Sequence, residues 1–83
     1  MVNKVCLPDR LIAEMLTVAR AIGKNTPLAI RQVKKALNAS EQMDITSGYR
    51  VELEAYNRLV PTRDREEGVK AFNEKREPLF TGN

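Results

Sequence analysis

Four prolines limit what this chain can fold into. Pro8, Pro27, Pro61 and Pro78 stand 19, 34 and 17 residues apart, and each borders a stretch with helical apolar spacing. Proline lacks an N–H and fixes φ, so a helix accepts it in the first turn and breaks at it further in. A first helix is predicted from Pro8 to Ile22, with the stripe Leu11, Ile12, Met15, Leu16, Ala19 and Ile22 and a stop at Gly23. "GKNTP" is a tight connector in which Asn25 or Thr26 can cap, and Pro27 suits the first turn of a second helix running to Asn38. That helix turns Ala29, Ile30, Val33, Ala36 and Leu37 inward. So short a connector predicts that the first two helices lie antiparallel or steeply crossed. A third helix runs from Asp44 to Leu59 with the stripe Ile45, Tyr49, Leu53, Tyr56 and Val60, and Pro61 ends it. Arg50–Glu54 and Glu54–Arg58 can pair on its wet side. Thr62 caps a fourth, with Asp64, Glu66 and Glu67 in its early turns and Lys75 and Arg76 at its far end, signs that suit the helix dipole.

The expected class is therefore all-α with about four helices. "VNKVC" near the start is β-prone but too short to form a sheet alone, and no second strand follows. Residues 1–7 read as a short extended segment and 8–83 as a helical domain. Leu28, Val51 and Leu59 fall off the main stripes and suggest surface meant for a partner. Gly68 interrupts an otherwise well-formed helix, where glycine costs about 1 kcal/mol against alanine, and reads as a close approach by another backbone.

Composition narrows the chemistry. A chain of 83 residues buries only about 60–65% of its unfolded surface. Cys6 is the sole cysteine and there is no histidine, which removes internal disulfides, Ser–His or Cys–His pairs and the usual zinc sets. No apolar run approaches the ~18 residues of a membrane span, and no leader is visible, so the expected setting is cytoplasmic. The net charge of +3 is uneven: residues 1–40 hold seven basic and two acidic side chains, or +5. These charges are scattered and lack interleaved aromatics, which reads as solvated helix faces. Glu66–Glu67 and Glu52–Glu54 diverge on a helix and also read as solvated. No phosphate loop, nucleotide fingerprint or metal spacing is present.

One pair stands apart. Helical spacing puts Phe72 and Lys75 on one face with Val69, and Arg76 on the same side as Phe72. An aromatic platform beside a cation suits a stacked base with a nearby phosphate. The same spacing is met by Phe72 as the core anchor of the fourth helix and Lys75 as its dipole partner.

At this point the segments "VNKV", "NTPLAIRQVKKALN" and "PTRDREEGVKAFNEKREPLFTG" resemble the C-terminal part of the enoyl-CoA hydratase/isomerase (crotonase) superfamily. In the last segment Asp64, Glu67, Gly68, Ala71, Phe72, Glu74, Lys75, Arg76, Pro78, Phe80 and Gly82 match the family's closing pattern. "EAYNRLVPTRDREEG" resembles the methylglutaconyl-CoA hydratase branch. The resemblance implies a larger parent with an N-terminal spiral of ββα units, which would supply the oxyanion donors and the acid/base glutamates. Residues 1–7 would be a remnant of its last strand. It implies that Phe72 packs by the adenine of coenzyme A and Lys75 pairs with the 3′-phosphate, with Arg76 as a helper. Glu77 departs from the pattern, since many members carry a base there.

The implied function is the subunit-packing and CoA-contacting end of an enoyl-CoA hydratase-like lyase, inactive alone. The implied assembly is a trimer or hexamer, and the substrate a CoA thioester, with no further cofactor. The alternatives are a small basic helical binder of nucleic acid, which some methylglutaconyl-CoA-hydratase-like proteins bind, or a pure assembly module. For the binder, the lack of aromatics in the basic half argues against stacking on single strands.

Overall fold

A computed structural model describes residues 1–83. A 3-10 turn at Pro8–Arg10 leads into α1, Leu11–Gly23. Then come α2 at Pro27–Ser40, α3 at Ile45–Leu59 and α4 at Arg63–Asn73. The chain is all-helical, as the proline punctuation predicts. Residues 1–7 pair with no strand, and an ion pair from Lys4 to Glu14 ties them to α1.

The caps explain the boundaries. Pro27 occupies the first turn of α2 after Thr26. Asp44 precedes α3 and its carboxylate accepts the Ser47 N–H at 2.7 Å. That bond holds the Asp44 carboxyl below its ordinary range. Thr62 accepts the Arg65 N–H at 3.2 Å and starts α4. On α3, Glu54 pairs with Arg58 at 2.6 Å, while Arg50 makes no ion pair.

The packing departs from the expected stripes. Leu28, Ala29, Ile30, Gln32, Ala36 and Ala39 of α2 are half-buried, whereas Val33 and Leu37 are exposed. On α3 the half-buried positions are Ser47, Gly48, Val51, Ala55 and Leu59. The larger stripe of Ile45, Tyr49, Leu53, Tyr56 and Val60 lies open to solvent. Small residues let the two helices approach closely, so the bulky side chains are displaced to the flanks. Leu28, Val51 and Leu59, assigned above to a partner surface, are thus turned partly inward. The displaced stripes border a groove of about 510 Å³ lined by Val33, Leu37, Met43, Ile45 and Tyr49.

α2 against α3 is the one extensive helix contact, and α1 touches α2 only briefly. The short connector therefore does not bring α1 down along α2. The stripe of α1 stays open, with Ile12 71% exposed. Only Asp64 and Ala71 are fully buried. The radius of gyration is 15.9 Å, against about 12 Å for a compact domain of this length. The helices form a splayed layer 18 Å thick.

Candidate functional site

α4 and the ten residues after it form a closed clasp. The tail doubles back along the helix, and the Asp64 N–H donates to the Asn83 carbonyl at 2.9 Å. The Asp64 side chain is the hub. Its carboxylate accepts the Thr26 hydroxyl at 2.8 Å, the Thr81 N–H at 2.8 Å and the Gly82 N–H at 2.9 Å. Three segments distant in sequence thus meet on one buried anion. Burial pushes this carboxyl up, but the donors of Thr81, Thr26 and Gly82 outweigh it and hold it below its ordinary range. Gly82 has φ +83°, a conformation that suits glycine and turns its N–H toward Asp64.

A second anion closes the middle of the clasp. Both terminal nitrogens of Arg76 donate to the Glu67 carboxylate, and the Leu79 N–H donates to it at 3.1 Å. Arg76 also donates to Glu74. The Arg76 bonds, with the Leu79 N–H, hold the Glu67 carboxyl at about 2. The two carboxylates raise the Arg76 guanidinium above its already high value. Both acids are ionised at ordinary pH and serve as fixed anions, which suits them to structure and not to proton transfer. Glu67, expected to be solvated, is therefore a clasp residue.

The turn between these anions corrects the expected helix. α4 stops at Asn73 and does not carry Lys75 or Arg76. The Lys75 N–H donates to Phe72 O at 3.2 Å and the Arg76 N–H to Ala71 O at 3.0 Å. This is a Schellman end, with Lys75 in the left-handed position usually taken by glycine, at φ 53°. Phe72 and Lys75 therefore do not share a helix face; they flank a tight corner. Both side chains are exposed, Phe72 by 83%, so Phe72 does not anchor a core. Arg76, read above as a helper for phosphate, is occupied by Glu67 and Glu74.

Gly68 also finds its explanation here. A Cβ at Gly68 would meet the Phe80 ring at 3.6 Å. The close neighbour is a ring of the chain's own tail and not another backbone. The role of Asp64 as a hub is not legible in the sequence, because its partners Thr26 and Thr81 lie 38 and 17 residues away. The corner leaves the Phe72 ring exposed and Lys75 exposed without an ion pair.

The whole chain, residues 1–83, matches the family of enoyl-CoA hydratase/isomerase. It is 39% identical over 82 residues to YngF of Bacillus subtilis, an enoyl-CoA hydratase/isomerase by name, covering 99% of this chain and 32% of that protein. It is 36% identical over 74 residues to human mitochondrial methylglutaconyl-CoA hydratase, covering 89% of this chain and 22% of that one. Its structure matches that of enoyl-CoA hydratase from Bacillus anthracis with a TM-score of 0.87 and 35% identity, covering 95% of this chain and 31% of the other. The chain thus spans about a third or less of these relatives.

Proposed function

Because the chain belongs to the enoyl-CoA hydratase/isomerase family, we propose that it is the C-terminal helical region of an enoyl-CoA hydratase-like lyase. In this reading it supplies part of the coenzyme A surface and packs against other parts of the assembly. The observation that carries the reading is the exposed corner of Phe72 and Lys75, fixed by the clasp and unused by the chain's own packing. Phe72 offers its ring to the adenine, and Lys75 its ammonium to the 3′-phosphate.

The C-terminal placement is supported by the closing pattern in residues 61–82. The role in subunit packing is supported by the open apolar stripes of α1 and α3. We keep the substrate class at 2-enoyl-CoA thioesters, because the human methylglutaconyl-CoA hydratase matches at 36% and YngF at 39%. No helix is long and apolar enough to cross a membrane. The cytoplasmic setting remains part of the proposal, supported by the lone free thiol Cys6; the human relative is mitochondrial by name.

The test is a titration of the 83-residue chain with coenzyme A, followed by NMR at the Phe72 ring and the Lys75 amide. Shifts centred on those two residues are expected. Shifts centred on the α2–α3 groove, or none at millimolar ligand, would overturn the reading. The same preparation should not hydrate crotonyl-CoA.

A further inference from the structure

Lys75 is the only non-glycine residue with positive φ. Nothing in its own chemistry favours that backbone conformation; glycine is the ordinary occupant of the position. A lysine stays there only when its surroundings hold it. On one side, the Lys75 and Arg76 N–H groups are fixed to Phe72 O and Ala71 O. On the other, Glu67 reaches from α4 across the turn. It grips Arg76 with both carboxylate oxygens and takes the Leu79 N–H at 3.1 Å. Glu67, on α4 before the corner, thus holds two residues that follow it, Arg76 and Leu79.

The charges sort in the same way. Arg76 lies between Glu67 and Glu74, so an incoming phosphate meets two carboxylates for one guanidinium. Lys75 forms no ion pair and is exposed. We propose that Glu67 is a positioning residue: by holding Arg76 and Leu79 it keeps Lys75 left-handed beside Phe72, which makes Lys75 the cation that selects a 3′-phosphorylated nucleotide. The inference rests on the coenzyme A reading above and adds the residue that sets its selectivity.

The test compares coenzyme A with 3′-dephospho-coenzyme A on the wild-type chain, on Glu67→Gln, on Lys75→Ala and on the double variant. An exposed ion pair is worth only about two- to fivefold in affinity, so the wild type should prefer coenzyme A by that factor. Glu67→Gln should bring the preference close to parity while leaving dephospho-coenzyme A binding unchanged. The double variant should be no worse than Lys75→Ala. A second readout needs no ligand: left-handed backbone gives a strong intraresidue HN–Hα cross-peak at Lys75, and Glu67→Gln should weaken it. If that cross-peak and the preference both survive the substitution, the positioning role is overturned and the coenzyme A corner stands. If the wild type itself shows no preference while the cross-peak responds to Glu67→Gln, the corner reading falls and takes the selectivity role with it. Should Glu67→Gln lose helicity, Arg76→Lys, which keeps the charge but not the paired grip, carries the same expectations.

Discussion

The α4 clasp and the α2–α3 pair solve the problem of a small core in opposite ways. The clasp contains both fully buried residues of the chain, Asp64 and Ala71, and closes through polar bonds onto its own tail. The α2–α3 pair meets through small side chains and leaves Val33, Leu37, Ile45 and Tyr49 in the open. One region closes on itself; the other leaves apolar surface open. Stability within this chain should therefore depend on named hydrogen bonds in α4 and hardly at all on the exposed apolar residues Val33, Leu37, Ile45 and Tyr49 of α2 and α3. That inverts the usual expectation that bulky apolar side chains dominate.

The largest effect should come from Asp64→Ala. The substitution leaves the Thr81 and Gly82 N–H groups without their acceptor and releases the Thr26 hydroxyl. Without that acceptor the tail is no longer held, so protection of the Thr81 and Gly82 amides from hydrogen exchange should fall roughly 10- to 100-fold. The α2 and α3 amides should keep their protection. Equal loss in both regions would show that the clasp and the helix pair are one cooperative unit.

Acid should open the same clasp without mutation. Glu67 titrates at about 2 when folded, against 4.5 for the free side chain. A lowered folded value stabilises the fold above the unfolded value, and that contribution is lost as pH falls from about 4.5 toward about 2. Asp64 is shifted in the same direction and adds to the loss. The Leu79 and Thr81 amide signals should move together over that window. Signals from α2–α3 that move first would contradict the division between the two regions.

Much of the helical layout was legible because its signals are local. Pro27, Asp44, Thr62 and Pro61 sit where caps and stops belong, and α2 and α3 match the expected ranges to within two residues. The end of α4 was not legible. Its stop needs a left-handed residue, and Lys75 carries no glycine signal there. The inward faces of α2 and α3 were misjudged for a different reason. Periodicity marks every apolar residue alike, and it cannot tell which of two stripes meets a neighbour within the chain. Here the small stripe does, through Ala36 and Ala55. At the site, helical spacing puts Phe72 and Lys75 on a shared face that does not exist, because α4 ends at Asn73 and Lys75 lies in the Schellman turn beyond it. Asp64 and Glu67 stand in the closing pattern, but their bonding is not legible there, since their partners come from the tail and from Thr26.

A smaller effect tests how tightly the clasp is packed. Gly68→Ala adds a methyl group 3.6 Å from the Phe80 ring, an ordinary contact distance. It also removes a helix-interior glycine, worth about 0.5–1 kcal/mol. The variant should be more stable by a few tenths to about 0.5 kcal/mol in denaturant unfolding, once slight repositioning of the ring is allowed for. Destabilisation would mean that Phe80 is held more rigidly than a 3.6 Å contact implies.

The smallest effect carries the sharpest contrast. Leu37 is 63% exposed and Tyr49 60% exposed, yet both belong to apolar stripes of the kind that usually forms a core. Glutamine is a good helix former, so Leu37→Gln and Tyr49→Gln alter exposed surface without breaking either helix. Each should change unfolding stability by no more than about 0.5 kcal/mol. If those side chains instead stabilise the fold by contacts within this chain, each loss should exceed about 2 kcal/mol, as deletion of a buried side chain does. The proposed packing role adds an independent readout: the double variant should self-associate less in sedimentation at the same concentration. Unchanged stability with reduced association would place the function of these residues between molecules or between regions of a larger one. Unchanged stability with unchanged association would leave the stripes without a packing role, and the case for α2–α3 as half of an interface would fail while the clasp stood untouched.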